Sequence, residues 1–177
     1  MNTSSAETAR RQRFDQLVAV FHADMYRYAA WLCRDKGIAE DVVQEALLRA
    51  WKSLEALRDD AAAKQWLLTI VRRENARYFE RRRLETVDID NLTASQAALI
   101  AEAPNEELND LREAIYGLED DYREPLVLQV LMGYSTNEIG ELMGLKQGAV
   151  LTRLHRARLK LKDKVAAEEE ASANTMK

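Results

Sequence analysis

Apolar positions recur at three- and four-residue steps along most of this chain, and they do so in two separate blocks. In the first, Phe14, Leu17, Val18, Phe21, Met25 and Tyr28 line one face of a helix. A second helix from Ala39 to about Leu54 buries Val43, Ala46, Leu47, Ala50 and Trp51, and a third, beginning near Lys64, turns Trp66, Leu67, Ile70, Val71 and Tyr78 inward. In the second block Ile139, Leu142 and Met143 form a short stripe, followed by Val150, Leu154, Ala157 and Leu161 at i, i+4, i+7 and i+11. Alternating apolar and polar runs are absent, and only two prolines and six glycines interrupt the pattern. The pattern predicts an all-α chain: two small helical domains joined by a flexible acidic linker.

Residues 135 to 161 predict a specific unit within the second block. Ser135 or Thr136 caps a short helix, with Glu138 at capping-box spacing from Ser135, and Gly144 makes a tight turn into a basic second helix. This is a helix-turn-helix, whose second helix enters the major groove of DNA. At about 100° per residue, Thr152, His155, Arg156 and Leu159 point away from the buried stripe, flanked by Arg153 and Lys160. An ordinary amphipathic helix also carries its cations on a solvated face. The turn glycine, the two stripes and the charge coincide here, which favours a nucleic-acid surface.

Charge sharpens that reading. The 177 residues carry a formal net charge of -4, yet Lys146 to Lys164 holds seven Lys or Arg against one acid, Asp163. A basic face concentrated in an acidic protein is the electrostatic footprint of a polyanion binder. A second cationic run lies at the end of the third helix, where residues 72, 73, 77, 81, 82 and 83 are arginines interleaved with Tyr78 and Phe79. Cations among aromatics suit melted nucleic acid, because phosphates meet charge and unstacked bases meet flat rings. Trp66 is expected in the core, and the arginines on the functional surface. The second helix has an outer face of Asp41, Gln44, Glu45, Leu48 and Lys52, where an exposed leucine among charges marks a protein-contact patch or a solvated face.

The organisation expected is a polar arm (1–12), a helical block (13–84), an acidic linker (85–109), a second block (110–165) and an acidic tail (166–177) that is frayed or disordered. The linker carries six acids and Pro104 without Lys or Arg, with a transient helix expected at Ala94 to Ala101. Two helical units on a tether suit a protein that touches two places on one larger target. One cysteine, Cys33, excludes an internal disulfide and fits a reducing cytoplasm. No apolar run approaches the length of a membrane span, and the N-terminus lacks the apolar core of a signal peptide. His22 and His155 are isolated and there is no phosphate-binding glycine loop, so no catalytic residue, metal or cofactor is indicated.

The segments Ala39-Glu-Asp-Val-Val-Gln-Glu-Ala-Leu-Leu-Arg-Ala-Trp51, Trp66-Leu-Leu-Thr-Ile-Val-Arg-Arg73 and Arg153-Leu-His-Arg-Ala-Arg158 occur in an order and spacing that resembles bacterial extracytoplasmic-function sigma factors. The resemblance covers roughly residues 13 to 163. It implies two all-α domains that bind core RNA polymerase and direct promoter recognition, melting and transcription initiation at a specialised regulon. Residue by residue, it implies polymerase binding by Asp41, Gln44, Glu45 and Leu48. It implies minus-10 contacts by the Arg58–Lys64 loop and the following helix, with Lys64, Arg72, Arg73, Ala76 and Arg77, and minus-35 contacts by Gln147, Thr152, Arg153, Arg156 and Lys160. The surface around Leu126 to Met132 is expected to attach the second domain to the polymerase flap. An anti-sigma factor wedged between the domains is a further partner the family implies, and promoter DNA is met both as duplex and as melted strand.

Two departures stand out. Many relatives have Asn seven residues after the tryptophan, where this chain has Arg73, with an asparagine two residues on at Asn75. Where relatives often read Gly-Thr-Val-Lys-Ser-Arg, this chain has Gly148-Ala-Val-Leu-Thr-Arg153, losing a hydroxyl and a lysine at the reading helix. A different class, an operator-binding regulator with a helix-turn-helix output, explains the second block equally well. It leaves the Asp41 face and the arginine-aromatic helix unexplained.

Overall fold

In a computed structural model, residues 3–85 and 106–175 are described. They form seven α-helices and no strand: α1 Thr3–Cys33, α2 Lys36–Lys52, α3 Ala63–Glu85, α4 Glu106–Tyr116, α5 Asp120–Val130, α6 Thr136–Met143 and α7 Gln147–Thr175. The chain divides into two units, Met1–Leu92 and Thr93–Lys177. Residues 86–105, which include the helix expected at 94–101, lie outside the described residues. The last positions assigned to the linker, 106–109, open α4 instead.

In the first unit α1, α2 and α3 each pack against the other two. Met25, Tyr28 and Ala29 of α1 meet Val42, Val43, Ala46 and Ala50 of α2 and Leu67, Leu68 and Val71 of α3, all fully or almost fully buried. Alanines at the contact points let the helix axes approach, since interaxial distance follows side-chain size. Trp66 and Tyr78, expected in the core, are only partly buried. The α1–α2 junction is made by Arg34, which takes a left-handed backbone (φ 57°), and by Asp35, whose carboxylate accepts the Ile38 N–H at 2.8 Å.

The α2–α3 connection is two 3-10 turns, Leu54–Ala56 and Asp60–Ala62, the second capped by Asp59. Leu54 and Leu57 anchor it to Leu17 and Ala63, with Phe14, Phe21 and Trp66 packed around them. The polar arm read at residues 1–12 is helical from Thr3, so α1 starts ten residues before the expected block. Ala6, Ala9 and Glu7 are adequate helix formers, and Arg10 is tied down by tertiary contacts described below.

In the second unit α7 packs against α4, α5 and α6. Its stripe of Val150, Leu154 and Ala157 is buried to within 1%. α7 continues to Thr175, through residues expected to fray, in a stretch rich in alanine and glutamate, both strong helix formers. Arg123 has the largest fully buried side chain among the described residues. It donates to the Leu118 carbonyl (2.9 Å) and to Asp120 (2.6 Å), bracing the α4–α5 turn. Leu126, Val127, Leu128 and Met132, read as part of a docking surface, are core, and only Val130 and Leu131 of that segment expose large apolar side chains.

Ser135 rather than Thr136 caps α6. Its hydroxyl accepts the Glu138 N–H at 3.3 Å and donates to the Glu138 carboxylate at 2.6 Å, while the Ser135 N–H donates to the same carboxylate at 2.8 Å. These bonds, the hydroxyl's first and the backbone N–H's second, lower the Glu138 pKa. A carboxyl lowered on folding contributes stability that is whole above its ordinary value and is lost as pH falls through the lowered one. Acid titration of thermal stability is therefore expected to show a component that Glu138→Gln removes, and identical acid profiles for the two proteins would refute the linkage. At neutral pH, Ser135→Ala is expected to cost roughly 0.5–2 kcal/mol of second-unit stability, read by denaturant melts.

Candidate nucleic-acid interface

The helix-turn-helix is built by backbone geometry at two glycines. Gly144 closes α6 in a left-handed conformation (φ 68°, ψ 35°) and donates to the Gly140 carbonyl, and Leu145 N–H reaches the same carbonyl at 2.8 Å. This turn aims α7 so that Gln147, Thr152, His155, Arg156, Leu159 and Lys160 are all exposed. Neighbouring acids then sort the cations. Arg153 pairs with Asp121 at 2.9 Å and Lys160 with Glu119 at 3.0 Å, the lysine also lying 5.1 Å above the Tyr122 ring. Arg158 donates to Gln129 at 2.6 Å, Gln147 to the Thr136 hydroxyl at 3.2 Å, and Thr152 to the Gly148 carbonyl of its own helix at 2.9 Å. Arg156 makes no ion pair among the described residues and is exposed on the outer face. The five residues inferred for minus-35 contact thus share one helix, but only Arg156 presents a cation without an ion-pair partner.

On α2, Asp41, Gln44, Glu45 and Leu48 form one exposed stripe, with Leu48 56% exposed. They line a groove of about 460 Å³ whose other wall is Tyr78, Arg81 and Arg82 of α3. This divides the cationic run that the sequence presents as one strip. At about 100° per residue, Arg72, Arg73 and Ala76 fall on the outer side of α3, while Tyr78 and Arg82 rotate back towards α2. Arg82 donates to the Tyr78 hydroxyl at 3.1 Å, and the Tyr78 and Phe79 rings meet edge-on at 5.5 Å. Lys64 and Arg77 are each held by a carboxylate: Lys64 by Asp24 of α1 at 3.0 Å, Arg77 by Glu74 at 2.6 Å.

Glu74 and Cys33 are buried polar groups that tie α3 to its neighbours. Glu74 is only 2% exposed and bonds both Arg77 and Arg49 of α2, the latter at 3.1 Å. Its spacing from Leu67 and Val71 puts a charge on the buried stripe, which is the signal that identifies it, since a buried carboxylate needs partners. Asn75 accepts the thiol of buried Cys33 at 3.1 Å, so its amide is engaged within the domain. Among the described residues no group of three His, Cys, Asp or Glu is arranged to hold a metal ion, and no helix is long and apolar enough to cross a membrane.

Comparison with known proteins assigns a family to each of the two units. Residues 17–85 match the Sigma-70 region 2 family and residues 108–161 match Sigma-70, region 4. The chain is 33% identical over 162 residues to the ECF RNA polymerase sigma factor SigL of Mycobacterium tuberculosis, covering 87% of this chain and 88% of that protein. It is 28% identical over 152 residues to SigM of Bacillus subtilis, covering 84% and 92%. Among solved structures, the sigma factor RpoE of Bartonella quintana, in complex with the anti-sigma factor NepR, is similar with a TM-score of 0.76 and 26% identity, over 88% of this chain and 98% of that one. A region 2 unit with a solvent-facing groove, a region 4 unit with a basic reading helix, and full-length likeness to such proteins make one conclusion: the chain belongs to the extracytoplasmic-function (ECF) sigma factors of RNA polymerase, the promoter-recognition subunits.

Proposed function

We propose that this sigma factor docks on core polymerase through Asp41, Gln44, Glu45 and Leu48, holds the melted minus-10 strand with the Arg58–Lys64 segment and the outer side of α3, and reads the duplex minus-35 element with the outer face of α7. The observation that carries the reading is the separation of surfaces: an exposed leucine among acids on one side of the first unit, arginines on another, and a basic reading helix in the second. Melting needs no catalytic group under this reading. It requires tighter binding of the unstacked strand than of the duplex, which offsets the few kcal/mol of unstacking. Arg73, exposed, and Arg72, half-buried beside it, supply phosphate contacts, and Ala76 between them leaves room for the strand's close approach. Lys64 and Arg77, held by Asp24 and Glu74, act as flanking charges.

The functional domains are taken as 13–84 and 110–165, joined by the acidic linker. Regulation by an anti-sigma factor and action in the cytoplasm belong to the same proposal, the first supported by RpoE solved with the anti-sigma factor NepR and the second by CnrH solved with the cytosolic domain of CnrY. Run-off transcription tests the whole: specific transcripts are expected only when the chain is combined with purified core polymerase. Tight dimeric binding to duplex promoter DNA without core would overturn it in favour of an operator regulator.

Base reading within the minus-35 element rests on Arg156. A side chain that contacts a base edge changes preference at that base by roughly 1–3 kcal/mol, whereas a phosphate contact weakens all sequences alike. Arg156→Ala is expected to alter the preferred base, and Lys160→Ala to weaken binding uniformly and reduce the salt slope by about one unit. Selection from a randomised minus-35 library distinguishes them. An unchanged profile for Arg156→Ala would leave Thr152 and Arg153 as the reading candidates.

A further inference from the structure

The first turns of α1 grip both ends of the segment that connects α2 to α3. Arg10 donates to the Trp51 carbonyl at 2.8 Å, and its guanidinium lies 4.6 Å above the Trp51 ring. Phe14 meets the same ring edge-on at 5.2 Å. Arg13 reaches the far end: its Nη2 donates to the Leu57 carbonyl at 2.8 Å and to Asp60 at 2.6 Å, while its Nε donates to Asp60 at 3.0 Å. The hydrogen bonds of the two arginines join positions 41 to 47 residues apart in sequence.

Between the two grips lie Leu54 and Leu57, buried, and just beyond them Arg58 to Ala62, exposed. An exposed charge pair alone contributes little, and Arg13 and Asp60 are 35% and 63% exposed. The planar fork of Arg13 does more than pair. Holding a carboxylate through two nitrogens and a backbone carbonyl at once, it fixes the orientation of the chain at Leu57 to Asp60, which an ammonium on a flexible stem does not.

We propose that Arg13, supported by Arg10, is a positioning residue for the Arg58–Lys64 segment, setting how sharply that segment discriminates the melted minus-10 base. This rests on the minus-10 reading of the segment given above. A site held within a fraction of an ångström discriminates, and loosening it degrades discrimination before it degrades folding. Arg13 touches no base in this role. Its effect is exerted through Leu57 and Asp60.

The test uses the full chain with core polymerase and a randomised minus-10 library. Arg13→Met keeps the apolar stem and removes the fork, and Asp60→Asn removes the charge it grips. Each is expected to flatten base preference at the melted position by about tenfold, the scale of a lost charge-assisted bond, with core affinity and the minus-35 profile unchanged. Arg13→Lys, which keeps the charge without the fork, is expected to flatten the preference nearly as much as Arg13→Met. Alanine substitutions at Arg58, Asp59 and Lys64 run alongside. If these shift the minus-10 profile and Arg13→Met does not, the positioning role is wrong and the reading of the segment stands; if neither set shifts it, both fall. A loss confined to thermal stability, with the preference profile intact, also overturns the proposal.

Discussion

Replacing Asp41, Gln44 and Glu45 together by alanine is expected to abolish stable association with core polymerase while leaving the helical circular dichroism signal intact. All three side chains are exposed, so their removal opens no cavity, and alanine is the strongest helix former. Hydrogen bonds involving a charged group contribute about 1.5–3 kcal/mol each when an interface desolvates them, so losing several weakens binding by roughly a hundredfold or more. Leu48, 56% exposed in their midst, is the proposed apolar anchor, and Leu48→Asp is expected to act in the same direction.

The shared groove adds a sharper expectation. Because Arg81 and Arg82 line its opposite wall, their joint substitution should reduce core association and spare the melted-strand step, whereas Arg72 and Arg73 should slow open-complex formation more on duplex than on pre-melted templates. Co-purification of the triple variant at wild-type yield would remove the α2 face from the interface.

Substitution of Gly140 is expected to be the most damaging single change to the DNA-reading unit. A Cβ there would stand 2.7 Å from the Leu145 carbonyl oxygen, a backbone atom that cannot swing aside. The Gly140 carbonyl also accepts from Gly144 and Leu145, so the turn is tied to the helix at the point of overlap. Helix propensity alone favours Gly140→Ala by up to about 1 kcal/mol. Forcing atoms into a filled site costs about 1–3 kcal/mol, so the net sign is destabilising, and a β-branched Gly140→Val costs more.

Gly144 offers the contrast. Nothing lies within 4 Å of its Cβ position, and only its left-handed backbone restricts it; Gly144→Asn should therefore be nearly neutral. Denaturant melts of the second unit, with minus-35 binding as the functional readout, separate the two. A Gly140→Ala protein that melts at the wild-type midpoint would show that the turn can shift to absorb a methyl group.

Much of this protein is legible in its sequence because periodicity and capping are local. The stripe from Val150 to Ala157, the Ser135 cap with Glu138, and the Gly144 turn each follow from residues within a dozen positions, and each stands in the structure where the pattern puts it. The exposed stripe from Asp41 to Leu48 follows from the same angular arithmetic on one helix. The site residues themselves were named through family resemblance as well as through pattern.

Other features depend on neighbours distant in sequence, and only tertiary packing decides them. Helix twist carried Tyr78, Arg81 and Arg82 away from the outer arginines and opposite the α2 acids. Glu119 and Asp121, at the start of α5, pair with Lys160 and Arg153, so of the cations assigned to minus-35 contact Arg156 alone has no ion pair among the described residues. Glu74 is buried because Arg49, from another helix, joins its neighbour Arg77 in offsetting the desolvation of its carboxylate. The first turns of α1 read as a polar arm, since the groups that hold them, Trp51, Leu57 and Asp60, lie more than forty residues away. Local physics specifies which faces exist; the closing of long loops determines which charges on them remain available to a partner.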